Sequence, residues 1–384
     1  GYDEKIDAAK LNDPKGGGLT ALEKFLEPTI VVIPDAILLD ENDCYSLQAA
    51  MLQHCGYKLK NRFAILDVYE GAKERTFDDD DAIDKFRNGV GSNFLQWGAS
   101  YYPFLNTTIV SKSEVDFTRI SNLDGLSEVL SKEVAENLEA DNITAARAEG
   151  ITAEIDKIPD TTESDAINSL NATLTVISPS LNLILAEVSE MLNVLPPSPA
   201  MAGAYTMVDN QASVAQSPAN ISLGSVIAPV VNINNDNQEE LNLPLNGKAV
   251  NAIRTFQGKG VLVWGARTLE GNSKDYRYVS VRRTMTFLEQ SIKAAAEAFV
   301  FAPNNATTWS TLRATVSSFL TNQWQSGLLA GQSADDAFSV DIGLGATMTP
   351  NDILDGVLKM TVKVAITRPA EFIVITFEQQ QQKS

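Results

Sequence analysis

The chain has 384 residues, of which 44% are hydrophobic and 21% are charged, and its formal net charge is −19. This composition is typical of a globular protein of two or three domains and excludes a disordered chain, and no apolar run is long enough to span a bilayer. The charge is uneven, because residues 251–384 hold 13 Lys and Arg against 11 Asp and Glu, whereas residues 111–195 hold 5 against 16. Such an acidic balance argues against direct binding of nucleic acid.

The first part of the chain predicts alternating strands and helices. Residues 1–26 contain the glycine-rich connector NDPKGGG and precede three apolar segments, TIVVI (29–33), FAILDVY (63–69) and GASYYPFL (98–105). A helix that starts after Asp40 or Asn42 and stops at Gly56 is expected between the first two strands. This order predicts a βαβ arrangement and an α/β domain over residues 27–110.

Residues 111–195 change from this pattern to a helical one. Leucine and valine recur at helical spacing over 123–138 and again over 181–195, with a polar acidic stretch between them. We therefore expect an acidic insertion of two or three helices that ends at the proline-rich break after residue 195. Residues 196–250 are expected to return to the α/β domain with brief strands in irregular structure.

The last third, residues 251–384, predicts a further domain of mixed α/β and α+β character. GVLVWGARTL (260–269) and YVSVRR (278–283) are predicted strands, and two striped helices are predicted over 285–299 and 309–324. We expect the helices to pack over Trp264, with Trp309 and Trp324 in the same inner packing. The region ends on MTVKVAI (360–366), which alternates, and EFIVITFEQ (371–379), which is apolar on both faces.

The sequence offers no catalytic, cofactor-binding or metal-binding residue that we would nominate. His54 is the chain's single histidine and lies near Cys55 and Cys44, but this spacing fits no zinc site and supplies too few ligands. The acidic run Asp78–Asp81 lacks the glycine and glutamate positions of a calcium loop and is better explained as a solvated helix N-terminus.

The glycine-rich segments do not predict a phosphate site either. Residues 16–18 are not followed by the Lys-Ser/Thr of a phosphate-binding loop, and Gly258-Lys259-Gly260 leads into a strand instead of a helix.

Two adjacent cations, Arg282 and Arg283, remain without an explanation from the pattern. At the start of a helix they oppose its dipole, which is equally consistent with an external partner and with pairing to nearby carboxylates.

Several separate blocks in one order resemble the contractile tail sheath family, which includes sheaths of contractile-tailed phages, R-type tailocins and extracellular contractile injection systems. The C-terminal blocks are LNGKAVNAIRTFQGKGVLVWGARTL (245–269), YRYVSVRRTMTFLEQSI (276–292), VFAPNNATTW (300–309), FLTNQWQSGLLAG (319–331) and RPAEFIVITFEQ (368–379). The upstream blocks are EPTIVVIPDA (27–36), RFAILDV (62–68), YYPFL (101–105), PPSPAMAGAY (196–205) and SPANISL (217–223). Family members carry a further N-terminal portion before the first strand, of which residues 1–26 are expected to be a linker or remnant, and 111–195 resembles nothing in the common core.

The resemblance implies a structural subunit without enzymatic activity. It implies a helical homo-polymer around an inner tube, with baseplate and terminal cap proteins as further partners. This polymer is expected to assemble in the bacterial cytoplasm and to be part of a phage tail or of a released or membrane-anchored particle. It also implies a metastable polymer that contracts to drive the tube through a target envelope, without membrane insertion of the subunit.

The same resemblance implies that neighbouring subunits exchange β-strands, a role that suits an open sheet edge near the end of a chain. The residues assigned to these strands are Met360, Val362, Val364, Ile366, Phe372, Val374, Ile375 and Phe377. Arg282, Arg283 and Lys293 are the candidate contacts of a tube-facing C-terminal third, and the acidic insertion is expected to point outward.

Two other classes of protein remain as alternatives. An α/β enzyme or ligand-binding protein would use the crevice at the carboxyl ends of the strands, near Asp35, Asp67 or Tyr102, where the sequence offers only isolated polar groups. A static lattice-forming surface protein would share the polymerisation but not the contraction.

Overall fold

A computed structural model describes residues 6–372 of the chain. The strands are β1 (Ile30–Val32), β2 (Phe63–Asp67), β3 (Gly98–Tyr102), β4 (Leu105–Thr107), β5 (Val194–Leu195), β6 (Ile221–Ser222), β7 (Val226–Pro229), β8 (Asn251–Phe256), β9 (Gly260–Trp264), β10 (Phe338–Ile342) and β11 (Met360–Val364). The helices are α1 (Ala8–Leu11), α2 (Gly18–Ala21), α3 (Glu41–Gln53), α4 (Ala82–Gly89), α5 (Leu123–Glu139), α6 (Ala145–Ile155), α7 (Ser164–Ile177), α8 (Pro179–Leu192), α9 (Ser198–Gln211), α10 (Asn235–Asn242), α11 (Val279–Glu297), α12 (Ala306–Gln325), α13 (Ala334–Ala337) and α14 (Pro350–Leu354).

The larger of two compact units contains a six-stranded sheet in the order β1-β2-β3-β8-β9-β6. Strands β1, β2, β3 and β8 are parallel neighbours, whereas β9 runs antiparallel to both β8 and β6. All five residues of β2 are buried, as expected of a parallel strand covered on both faces. The predicted mixed α/β fold is confirmed.

The sheet also corrects one predicted boundary. Strands β8 and β9 pair with the N-terminal strands through β3, so a domain that starts at residue 251 would cut the sheet in two. The order of elements along the sequence does not reveal this long-range pairing of β8 with β3.

The C-terminal part of the larger unit packs α11 and α12 against the two-stranded antiparallel ribbon of β10 and β11. Its buried centre includes Leu288, Leu312, Val316 and Leu320 from the two helices. The segment YVSVRR, predicted as a strand, instead begins α11, because the helical stripe extends upstream through the buried Val281.

The helix that was predicted to stop at Gly56 continues as a π-helical turn over His54–Leu59. A Cβ atom at Gly56 would lie 2.6 Å from Trp97 Cδ1 and 2.7 Å from Phe94 Cδ1. The glycine is therefore needed for close packing against two aromatic rings, and the chain turns only after it, at Lys60, which adopts the left-handed conformation.

The smaller unit comprises residues 104–195 and 224–230 and contains helices α5 to α8 and a sheet of β5, β4 and β7. Its own core is formed by leucines and isoleucines of all four helices, including Leu130, Ile155, Leu174 and Leu181. The sequence predicted two or three helices here. No single helix in the described residues is long and apolar enough to cross a membrane, while α7 and α8 satisfy those criteria only together, across a bend of 117°.

Candidate assembly interface

The β10–β11 ribbon has one apolar and one polar face. Val340 lies opposite Val362, and Phe338 lies opposite Val364, while Lys363 on the other face lies opposite Ser339. The predicted strand residues Met360, Val362, Val364 and Ile366 all pack against the helical core of their own subunit. Their side chains therefore fix the ribbon to α11 and α12.

The backbone edge of the ribbon is the part that another chain could use. In the described residues β11 pairs with β10 alone, and the two form a sheet of their own. Just past β11, Ile366 forms an isolated bridge with Leu329. An edge that carries unpaired backbone groups is a template for an added strand.

The chain then continues to Glu371, which forms an ion pair with Arg267. Arg267 Nε donates to Oε1 of Glu371 at 2.8 Å, and Nη2 donates to Oε2 at 2.6 Å. Tyr278 Oη donates to the same Oε2 at 3.0 Å. The next residue, Phe372, leaves 66% of its surface exposed. Val374, Ile375 and Phe377, also assigned to the exchanged strand, lie outside the described residues.

The roles of Arg267, Tyr278 and Glu371 were not predicted from the sequence. One signal was present, because Arg267 lies three residues after the end of the apolar strand β9 in WGARTL, where an arginine needs a buried partner. The partner lies 104 residues further along the chain, so no local pattern identifies it.

Burial of Arg282 and Arg283 contradicts their assignment to the tube-facing surface. Only 4% of Arg282 and 7% of Arg283 is exposed. The guanidinium of Arg282 lies 4.3 Å from the ring centre of Trp97, and Arg283 Nη1 donates to Asp209 Oδ1 at 2.9 Å. Arg282 Nη2 also donates to Glu289 Oε2 at 3.2 Å, so pairing with nearby carboxylates, the second explanation left open by the sequence, accounts for both cations.

The exposed Lys293 on α11 is the tube-facing candidate that the structure leaves accessible. Its role in binding a tube stays a prediction.

The three tryptophans predicted for the inner packing separate into two groups. Trp309 and Trp324 pack against the core of α11 and α12, with their indole N–H groups bonded to Asn304 Oδ1 and to the Gly331 carbonyl. Trp264 is 36% exposed and lies on Phe256, at 4.6 Å between ring centres. Trp264 belongs to β9 of the six-stranded sheet, and the packing of the two helices over it stays a prediction.

The polar groups considered for an enzyme or ligand site have structural partners. Buried Asp67 accepts hydrogen bonds from the backbone N–H and hydroxyl of Ser198 at the start of α9, and burial raises its pKa to about 7. Tyr102 Oη donates to the Lys73 carbonyl, and Asp35 is an exposed residue of a short turn. These contacts do not bring the three residues together as a reactive set.

The residues that were considered as metal ligands are buried in the protein core. Burial raises the pKa of the Cys44 and Cys55 thiols to about 12, so neither is a ready thiolate. Burial and the neighbouring Arg62 lower the pKa of His54. No cluster of three or more metal-ligating side chains occurs within residues 6–372.

The acidic run differs from a fully solvated helix terminus. Asp81 is buried, accepts hydrogen bonds from the backbone N–H groups of Ile83 and Asp84, and pairs with Arg75. Burial opposes its ionisation, but the bonds from Arg75 and from backbone amides hold its pKa below the usual range. The aspartates before it, at 78–80, are exposed.

Comparison with known proteins supplies the context for this ribbon. The family model of the phage tail sheath C-terminal domain matches residues 272–380. The contracted PVC sheath complex of an extracellular contractile injection system is 27% identical, with a TM-score of 0.61, over 98% of this chain and 81% of that chain. The contracted helical sheath of the anti-feeding prophage is 26% identical, with a TM-score of 0.60, over 96% of this chain and 75% of that chain.

A chain of the contracted anti-feeding prophage baseplate is also similar, at 25% identity and a TM-score of 0.67, over 96% of this chain and 74% of that chain. A comparison with curated proteins gave no match. Together, the fold and these similarities define a structural component of a contractile particle. The match over residues 272–380 and the similarity of nearly the whole chain to two contracted sheaths confirm the resemblance to contractile tail sheath proteins seen in the sequence blocks.

Proposed function

We propose that the chain polymerises into a helical sheath around an inner tube and that contraction of this sheath drives the tube through a target envelope. The observation that carries the proposal is the β10–β11 ribbon, whose side chains are fixed to their own subunit while the outer backbone edge of β11 pairs with no other strand among residues 6–372. Similarity over nearly the whole chain to a contracted sheath supports it.

The joint between subunits is a shared β-sheet. The part of the segment 371–379 that follows Glu371 in one copy adds to the ribbon of another, so each subunit both gives and receives a strand. A contact of this head-to-tail kind does not close on itself, and repetition produces a helical polymer. Contraction then changes how the packed subunits dock while the shared sheets persist.

The proposed partners are further copies of the chain, the tube, a baseplate and a terminal cap, with assembly in the bacterial cytoplasm. Similarity to a chain in the contracted baseplate structure of the anti-feeding prophage supports the baseplate contact. Lys293 is the proposed tube contact, and the near balance of charge in residues 251–384 supports a protein-facing role for this region.

Electron microscopy of the purified full chain tests the proposal. Hollow striated cylinders of two lengths are expected for a contractile sheath, whereas flat lattices would indicate a static surface protein and dispersed monomers would contradict polymerisation. A variant that ends at Phe372 lacks most of the exchanged strand and should remain monomeric. Cylinders formed by that variant would contradict strand exchange.

A tube-binding experiment tests Lys293 separately. Lys293→Glu is expected to weaken co-sedimentation of the sheath with assembled tubes, because it replaces an exposed cation by an anion. Lys132→Glu makes the same change of charge on the exposed face of α5 and is the matched control. Equal tube binding by both variants would remove Lys293 from the interface.

A further inference from the structure

The segment between the ribbon and Phe372 is bound to its own subunit at successive points. Thr367 N–H donates to the Leu328 carbonyl at 3.1 Å, and its hydroxyl donates to the Gly327 carbonyl at 2.9 Å. Arg368 then donates to the Lys274 carbonyl. The path ends at Glu371, on the ion pair with Arg267. The chain therefore passes from the ribbon to the loop after β9 before it reaches the exchanged strand.

Arg267 is itself held firmly by the six-stranded sheet. Only 1% of its surface is exposed, and its Nη1 donates to the Asn242 and Gly271 carbonyls at 3.1 and 3.2 Å. Its backbone N–H donates to Asn251 Oδ1 at 2.7 Å, and the Asn251 amide donates back to the Arg267 carbonyl at 2.8 Å. Because Asn251 belongs to β8, Glu371 is bonded to a side chain fixed by the sheet.

We propose that Arg267 and Tyr278 are positioning residues that, by holding Glu371, set the point and direction from which the C-terminal strand leaves one subunit to join a second copy of this chain. The inference rests on the proposed strand exchange. A bidentate contact between arginine and carboxylate fixes orientation as well as distance. The exchanged strand then starts from a fixed residue, Phe372, and less conformational freedom is lost when it docks.

The ion pair between Glu371 and Arg267, here called the anchor, also determines which element bears a tension that is applied to the exchanged strand. A two-stranded ribbon is marginally stable by itself. With Glu371 held by Arg267, tension on the exchanged strand reaches the six-stranded sheet before it reaches the edge of β11. Without this contact, the next attachment points are Arg368, which donates to the Lys274 carbonyl, and Thr367 beside the ribbon, so more of the same tension would act on the ribbon.

The experiment compares full-length variants in polymerisation. Glu371→Gln removes the charge of a partly exposed residue and should raise the critical concentration for polymers by about tenfold, whereas Tyr278→Phe, which removes one hydrogen bond, should raise it by about twofold. Because Glu371→Gln leaves the buried Arg267 guanidinium without its anionic partner, it should also lower the thermal midpoint of the monomer, whereas Tyr278→Phe should leave it nearly unchanged. Polymerisation is therefore compared at a temperature at which both monomers are fully folded. Glu154→Gln, which removes one partner of an exposed ion pair on α6, is the matched control and should polymerise as the unmodified chain.

The mobility of a spin label next to Glu371 tests the contact with Arg267 in the monomer, without polymers. A nitroxide label on Phe372→Cys should be immobilised in the monomer and become mobile when Glu371→Gln is added, since Cys44 and Cys55 are buried and leave the new thiol as the accessible one. An equally mobile label with and without Glu371→Gln would overturn the anchor. A fall in the monomer's thermal midpoint that accounts for the loss of polymers would overturn the positioning role.

The variant that ends at Phe372 separates the two proposals. If it polymerises, strand exchange itself fails. If it stays monomeric while Glu371→Gln polymerises as the unmodified chain, strand exchange stands and the anchor fails.

Discussion

Buried arginines bind groups within this subunit, which changes the expected effect of replacing them. Arg283 lies between the Asp209 carboxylate and the ring of Tyr205, 5.0 Å from the ring centre. Arg283→Ala should lower the free energy of unfolding by about 3 kcal/mol, because it leaves Asp209 without its partner in a largely desolvated site. Lys293→Ala should change it by less than about 0.5 kcal/mol. Urea denaturation measures both, and equal stability of the two variants would contradict the buried pair.

Asp67 gives the molecule a specific dependence on pH. Its pKa of about 7 in the folded protein, raised by burial, lies above the ordinary value, so the folded state binds more protons than the unfolded state between about pH 4 and 7. The contribution of Asp67 to stability is therefore largest below this interval and is lost as the pH rises through it.

Asp67→Asn should remove this dependence. Relative to the unmodified chain, the variant should gain up to about 1.4 kcal/mol of unfolding free energy for each pH unit between pH 4.5 and 7. Denaturation at several pH values measures the difference, with Asp35→Asn as a control for the loss of an exposed carboxylate. Parallel curves for Asp67→Asn and the unmodified chain would show that the buried carboxyl does not carry a raised pKa.

At the scale of single elements, the π-helical turn depends on one glycine. Gly56→Ala should destabilise the protein by about 2 kcal/mol, because the added methyl group would lie within 3 Å of Trp97 and Phe94. Gly203→Ala is the control, since no atom lies within 4 Å of the added methyl group and alanine favours the helix by about 0.5–1 kcal/mol. Thermal unfolding measures both, and a stable Gly56→Ala variant would contradict the tight packing.

Local periodicity predicted those elements whose buried face repeats over several turns or strands. The stripe over 123–138 corresponds to α5, and the apolar runs at 29–33 and 63–69 contain β1 and β2. YVSVRR failed because its alternation covers only a few residues, and the helical pattern that overrides it lies downstream in α11. At Gly56, the rings that require a glycine come from residues 94 and 97, about 40 positions further along the chain.

At the scale of the whole molecule, the pairings that define the sheet were beyond sequence reasoning. The neighbour of β3 is β8, and 148 residues separate Tyr102 from Asn251. Strand β6 pairs with the edge of β9 that faces away from β8, although β7 and β8 lie between β6 and β9 in the sequence. The same limit applied to the Arg267–Glu371 anchor, because hydrophobic patterns specify which face of a strand is buried but not its distant partner.

The helical segment of the smaller unit begins and ends at neighbouring residues. Asn193 donates a hydrogen bond to the Val110 carbonyl and accepts one from the Val110 N–H, both at 2.9 Å, and the Thr107 N–H donates to the Asn193 carbonyl at the same distance. A segment whose ends meet and whose core is its own can be removed without a strain on the backbone that remains.

Replacement of residues 111–192 by a short glycine-rich turn should therefore leave a soluble chain that still polymerises. The change also removes 11 net negative charges, counted as 16 acidic less 5 basic residues over 111–195, so polymers of the shortened chain should be less sensitive to salt, which screens exposed charges. Sedimentation at two salt concentrations and electron microscopy measure both effects. Asn193→Ala in the full chain is the control, because it disturbs only the contacts between the two ends of the helical segment. A shortened chain that folds but remains monomeric would instead make the helical segment part of the joint between subunits.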